Sequence, residues 1–430
     1  MNEAFLQYIW QHSLLEGDLR TLDGQEVQIV RSGTINLNAG PDFLNAQVTI
    51  GGIAWVGNIE LHVRSTDWNR HGHSNDRQYD NVILHAVYTY DGDIDRTADK
   101  PQVPTLVLKD YIPAHVMAHY EVLMNPPKST EIPCGHWLKQ MPTPLVNSWL
   151  ERLAVERIEK KTEVVGRLLD DSQNSWADCC YWLIAHYFGG KVNAFAFEMT
   201  AKATPLTVLA KIKDDPMRVE ALLFGQAGML DGDFDDDYPR QLQTEYRYMR
   251  KAWQLTPVNG WWWKFFRLRP SGFPTLRLSQ FASLVSGAHS LFSEFLAADN
   301  ARQLARYFQL EASEYWRTHY RFDKPSPHPH SVQTGDDMAE NIIVNAWVPL
   351  LFRYGVQHGD QKLQERAYDL LCQMPAEHNN IVKRWKTLGI AAENAAQSQA
   401  LVQLYNNYCS ERNCLRCHMG SRVLRIIDTI

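Results

Sequence analysis

Residues 40–73 read GPDFLNAQVTIGGIAWVGNIELHVRSTDWNRHGH. Two runs rich in β-branched and aromatic residues, NAQVTI and IAWVGNIELHV, flank Gly51-Gly52. That pair suits a tight hairpin turn, because glycine takes positive φ at no steric cost. Pro41-Asp42 precedes the first run, and Glu60-Leu61-His62 lies near the end of the second. Side chains alternate along a strand, so Glu60 and His62 are expected on one face. If the runs pair as a hairpin, Asp42 comes near Glu60. Two carboxylates so placed offer an oxygen-rich site for Mg²⁺ or Mn²⁺, and such an ion activates water for attack on phosphorus. The opposing reading is simpler: an Asp after Pro often caps a turn, and a Glu on a strand often faces water.

Outward from this stretch, strand signals extend from residue 16 to about residue 110, in EVQIV, NVILHAVYTY and VPTLVLKDY. Beyond about residue 111 the apolar spacing becomes three-and-four, the period of helices. Residues 144–171 form the longest such pattern, with Pro144 at its start. Helical patterns continue to the end without a repeat of fixed period, which disfavours a solenoid. The expected fold class is α+β: a mixed α/β sheet module over 1–125, then a large all-helical region over 126–430. The joint is NPPKSTEIPCGHW (125–137), and KPSPHPHSVQTGDD (324–337) reads as a loop.

The chain has 430 residues, 45% hydrophobic and 21% charged, the profile of a globular protein with room for more than one core. Net charge is −6 and the pI is near 6.2, which excludes a protein that coats nucleic acid by charge alone. A local basic groove stays open. No apolar run approaches the ~20 residues that span a bilayer, so no membrane partner is expected. The N-terminal MNEAFLQYIWQHSLLEGDLR has neither a basic leader nor a cleavage site. It reads as an amphipathic helix burying Phe5, Ile9, Leu14 and Leu15, and the expected compartment is cytoplasmic.

The order helix, strand, Pro-Asp, strand, Glu-x-His, helix or loop, strand resembles the PD-(D/E)XK nuclease superfamily over roughly residues 1–110. The resemblance implies a nuclease-like sheet, with Asp42 and Glu60 as ligands of Mg²⁺ or Mn²⁺. It implies the Leu61 carbonyl as a third ligand and Glu3 as an auxiliary acid. His62 stands where that superfamily carries Lys. An imidazole can take a proton from water but cannot supply a fixed positive charge. The implied activity is metal-dependent cleavage of nucleic-acid phosphodiesters, and the implied partner is nucleic acid. A non-catalytic scaffold that keeps the fold for binding is the alternative. Across its whole length the chain also resembles an uncharacterised bacterial family of unknown function, in GPDF, Glu60-Leu61-His62, Thr66-Asp67-Trp68, HGH and NVILH.

Asp42, Glu60, His62, Asp67, His71, His73, Asp76 and His85 crowd one short region of a chain with 16 histidines. A second reading therefore keeps the region and changes the ion. His62, His71, His73 and His85, with Asp67 or Asp76, can bind Zn²⁺ through imidazole nitrogens in a zinc hydrolase. In the nuclease reading His71 and His73 contact the substrate phosphate instead.

At the other end, YCSERNCLRCHMG carries Cys409, Cys414, Cys417 and His418 in a C-x4-C-x2-C-H pattern. Closely spaced cysteines signal a metal, and three thiolates need a fourth partner. Cys134 is the first candidate, with His136 and His418 as alternatives. One early and three late cysteines resemble the iron–sulfur staple of AddB-type nucleases, although the spacing differs. An iron–sulfur cluster and structural Zn²⁺ both suit this donor set. Cys179, Cys180 and Cys372 lie in apolar helical patterns and read as core residues.

WWWKFFRLRPSGFPTLRLSQFASL (261–284) interleaves aromatics with Arg267, Arg269 and Arg277. Packing is the first expectation for the aromatics, and the three arginines are candidates for polyanion contact. DGDFDDDY (231–238) lacks the Gly and Glu of a calcium loop and reads as solvated. No phosphate-binding loop, dinucleotide fingerprint or G-x-S-x-G is present.

Overall fold

The molecule is described by a computed structural model covering residues 1–95, 101–127 and 130–426. Two compact units emerge, Met1–Asn147 with Leu404–Ile430, and Ser148–Gln403. The expected division is at 125/126, with the tail among the helices. Packing places the division at 147/148 and the tail in the first unit.

The first unit begins with helix α1 (Glu3–Gln11), whose Asn2 cap accepts from the Phe5 amide. Phe5, Leu6, Tyr8, Ile9 and Trp10 are buried on it, each large side chain contributing ~2 kcal/mol or more. The helix stops earlier than expected. Ser13 takes φ +50°, and Leu14 and Leu15 lie beyond the helix, half-buried.

Next come strands β1 (Val27–Arg31), β2 (Thr34–Ile35), β3 (Phe43–Ile50) and β4 (Ile53–Arg64). A short helix α2 (Asp67–Arg70), strand β5 (Val82–Thr89), strand β6 (Thr105–Val107) and helix α3 (Ala114–Met124) follow. The strands form one mixed sheet in the order β1-β3-β4-β5-β6, with β2 also on β3. β1, β3 and β4 run antiparallel, while β4, β5 and β6 are parallel. The expected hairpin is present: Ile50 pairs with Ile53 across Gly51 (φ +56°) and Gly52 (φ +82°), both left-handed as a two-residue turn requires.

The hairpin's far end matters most. The register slips between Phe43 and Ala46, where Asn45 takes φ +56°. Beyond the bulge Phe43 faces Ile59, so Asp42 arrives beside Glu60. On the other side, parallel pairing sets Glu60 level with His85. Gly57 permits this close approach, since a Cβ there would strike the Ile83 side chain and the Asn81 carbonyl.

The second unit is helical, and the fold is α+β as expected. Helix α4 (Thr143–Asp171) covers the predicted 144–171 pattern and runs into this unit. Trp316, Trp347, Trp385, Phe224, Phe281 and Phe295 fill its core. The unit is not purely helical: His319–Arg321 and Lys324–Pro325 form a small hairpin. Its Asp323 carboxylate accepts from the Asp235 and Asp236 amides, which ties down the acidic loop before the helix Asp237–Trp253. Cys179 and Cys180 are buried as expected. Cys372 is exposed instead, because it ends its helix on the solvent side. Among the described residues no helix is long and apolar enough to cross a membrane.

Two outcomes test this account. Gly57→Ala should lower the free energy of unfolding in urea by about 1–3 kcal/mol, because the β-branched Ile83 side chain and the Asn81 carbonyl both oppose the new methyl. In the second unit, His186 Nδ1 at 2.9 Å and Lys202 hold the Glu198 carboxyl down to about 2. Its folded pKa lies below the unfolded ~4.3, so its contribution is present above that value and is lost as pH falls from there toward 2. Glu198→Gln should cost about 1–3 kcal/mol at pH 7 and progressively less in acid.

Candidate functional site

Asp42 stands where the β3–β4 ladder stops, and its side chain takes over the role of the ladder. Leu61 donates its amide to Asp42 Oδ2 at 2.9 Å, and Asp42 donates its own amide to Glu60 Oε2 at 3.1 Å. The Gln7 amide, reaching from α1, donates to Asp42 Oδ1 at 2.7 Å. The two carboxylates are thus fixed side by side, Glu60 buried and Asp42 half-buried. Burial raises both carboxyls, and the neighbouring Asp42 charge helps push Glu60 up to about 9. Glu3, at the start of α1, is near enough to add to both effects.

Glu60 Oε1 points the other way, into a group of imidazoles. It lies 3.5 Å from His62 Nε2 and 3.2 Å from His73 Nε2. Glu60 and His62 share a strand face, as alternation requires. His62 Nε2 also lies 3.2 Å from His71 Nδ1. One donor atom each of His62, His71 and His73 falls within 4.8 Å of the others. The loop that supplies the last two is short and shaped for the purpose. His71 follows α2, Gly72 takes φ +74°, and His73 opens a 3₁₀ turn. That left-handed residue returns the chain so that both rings meet His62.

Burial disfavours the charged form of His62, His73 and His85. Burial, followed by the nearby imidazoles of His85, His73 and His71, pushes His62 down to about 2. Burial holds His85 near 3 and lowers His73. Neutral imidazole is the form that binds a metal. His85 serves as support: its Nε2 sits 2.9 Å from His62 Nδ1. A lone pair on His62 Nε2 puts the proton on Nδ1, where His85 accepts it, the outer-shell arrangement that orients a metal-binding His. His73 is stacked on Tyr79 at 3.8 Å, and its buried Nε2 has no hydrogen-bond partner of good geometry, the Glu60 approach being one of distance only. An imidazole nitrogen so aimed fits a cation.

Asp67 and Asp76, weighed as zinc ligands, make local hydrogen bonds, Asp76 as a cap. Asp67 accepts from the Arg64 amide and pairs with Arg70, and Asp76 accepts from the Gln78 amide. Gln7 and Arg70 escaped the sequence reading. Gln7 is a polar residue between the buried Leu6 and Tyr8, which is a signal, though a faint one. Arg70 is largely exposed yet within Coulombic reach of His62.

Arg267, Arg269 and Arg277 belong to the second unit. Arg267 and Arg269 are exposed, and Arg277 is half-buried with Nη1 against Met338. The aromatics of that stretch divide: Trp263 is buried, while Trp261 and Phe266 face solvent. Cys134, Cys409, Cys414 and Cys417 are all buried and all in the first unit. The alternatives His136 and His418 are exposed.

A family model described as "Protein of unknown function (DUF2851)" matches residues 3–380, and the chain belongs to that family. No curated protein and no solved structure matches it significantly.

If His85 orients His62, its loss should be felt as affinity. His85→Phe should weaken Zn²⁺ binding about 10–100-fold while the circular dichroism stays native. Unchanged affinity in a folded variant would remove His85 from the site.

Proposed function

We propose that this family member is a metal-dependent hydrolase of phosphodiesters, with the ion held by His62, His71 and His73 beside Glu60. One observation carries the reading: one donor nitrogen each of three imidazoles lies within 4.8 Å of the others, at the edge of a fixed pair of carboxylates. Imidazole donors favour Zn²⁺ or a neighbouring transition ion over Mg²⁺. A bound ion of this kind supplies Lewis acidity and an activated water near neutral pH. The substrate class rests on the resemblance of Pro41-Asp42 and Glu60-Leu61-His62, in their strand context, to the PD-(D/E)XK pattern.

The chain's own residues have distinct tasks in this reading. Glu60 is anchored through Oε2 by the Asp42 amide, which leaves Oε1 to take a proton from water or to add a donor to the ion. Asp42, held by Gln7 and Leu61, keeps Glu60 from rotating away. His71 is the exposed member of the trio and marks the solvent side. Arg70, exposed beside it in sequence, is placed to meet phosphate charge.

A second reading has its own support. Burial raises the carboxyls of both Asp42 and Glu60, the Asp42 charge raises Glu60 further, and a divalent cation between them offsets both effects. This is the Mg²⁺ or Mn²⁺ site of the nuclease pattern. There His62 acts on the water and the other imidazoles flank the substrate.

Chelated protein reloaded with Zn²⁺, Mn²⁺ or Mg²⁺ should decide, assayed on single- and double-stranded DNA and RNA. The proposal expects about one Zn²⁺ or Mn²⁺ per chain, lost in His62→Ala and His73→Ala. It expects cleavage that falls roughly 100-fold or more in Glu60→Gln. Tight Mg²⁺ or Mn²⁺ binding that needs Asp42 but not His71 would favour the second reading. Binding of nucleic acid without cleavage by any loaded form would sink both and leave a scaffold.

A further inference from the structure

Four cysteines meet in the first unit from two distant stretches of chain. Cys134 precedes the segment Ser148–Gln403 of the second unit, and Cys409, Cys414 and Cys417 follow it. Each is only 5–6% exposed. All six pairs lie within Coulombic reach: Cys134 of Cys414 and Cys417, Cys409 of the other three, and Cys414 of Cys417. Four thiols gathered within Coulombic reach of one another and hidden from water are far more than a small apolar core needs.

The backbone around them is shaped to hold this arrangement. Cys409 closes a π-helical turn, Tyr405–Cys409. Cys414 opens a 3₁₀ turn, and Cys417 caps the helix His418–Leu424. Gly420 lets that turn lie against the helix, since a Cβ there would collide with the Cys414 backbone. Between the first and second cysteines of the chain end, Arg412 takes φ +57° and sits within Coulombic reach of Cys409 and Cys414. Its buried Nη1 has no hydrogen-bond partner. A guanidinium within Coulombic reach of two thiols favours their ionised form, the form that binds a metal.

Spacing separates the two groups that four thiolates accept. Tetrahedral zinc, with Zn–S near 2.3 Å, draws its sulfurs to about 3.8 Å from one another. Among the described residues the three donors that fall within 4.8 Å of one another are the imidazole trio, and no three of the four thiols meet that spacing. A four-iron cube places its own width between the sulfurs and suits the wider cage.

We infer that Cys134, Cys409, Cys414 and Cys417 ligate a [4Fe–4S] cluster that fastens the C-terminal segment to the first unit. The fastened segment also reaches α1, where Tyr8 Oη and Ser421 Oγ lie 2.6 Å apart. The same helix supplies Gln7 to Asp42. The cluster thus secures the helix that supports the front carboxylates, and its existence does not depend on what those carboxylates do.

Protein prepared without oxygen tests the assignment. The wild type should be brown, with about four iron and four acid-labile sulfide per chain and a broad visible absorption that dithionite bleaches. Cys134→Ser should lose iron and sulfide together, and trypsin should then release the C-terminal segment. Cys372→Ser and His71→Ala should keep both, which separates this cluster from any iron held by imidazoles. Stoichiometric zinc without sulfide in the wild type would overturn the inference, as would a folded wild type with neither. Should Cys134→Ser not fold, the wild-type iron and sulfide counts decide alone.

Discussion

The exchange of hydrogen bonds between Asp42 and the Glu60-Leu61 step is the constraint on which the front of the molecule depends. The Asp42 carboxylate receives the Leu61 amide, and the Asp42 amide is given to Glu60. Both groups would otherwise be polar atoms at the frayed end of a buried ladder, each costing on the order of 1–3 kcal/mol. Satisfying them reciprocally aligns β3 with β4 past the bulge. It also turns the second oxygen of Glu60 toward the histidines. Register, burial and site geometry are therefore one arrangement.

That arrangement has an electrostatic consequence. Glu60, His62, His73 and His85 are buried beside the half-buried Asp42, and among the described residues no lysine or arginine is buried with them. Desolvation pushes Asp42 and Glu60 up and His62, His73 and His85 down, so burial disfavours the charged form of each. A divalent cation reverses this balance, since it favours ionised carboxylate and needs unprotonated imidazole. The fold has spent its polar contacts on orienting donors, through Gln7 on one side and His85 on the other.

Much of this was legible in advance. The hairpin follows from Gly51-Gly52 between two alternating runs. The shared face of Glu60 and His62 follows from the period of a strand, and the long helix at 143–171 from the period of a helix. The end of α1 was misplaced because Leu14 and Leu15 continue the apolar pattern after Ser13 has broken the backbone. Cys372 was misplaced because one apolar neighbourhood does not say which way a helix-terminal side chain faces. Gln7 and His85 gained their roles from packing across the sheet, which no local pattern records.

What the sequence by itself determined is local. Strand and helix periods, turn glycines and the residue types able to bind metal are all short-range properties, set by sterics and side-chain chemistry within a few positions. Tertiary structure alone decided which donors meet. It brought Asp42 to Leu61, His71 and His73 to His62, and Cys134 to the three cysteines at the far end. Each meeting depends on a bulge, a left-handed glycine or a returning tail, and on burial that strips water from all partners at once. Distances between donors, and hence the choice of ion, exist only after the chain has closed on itself.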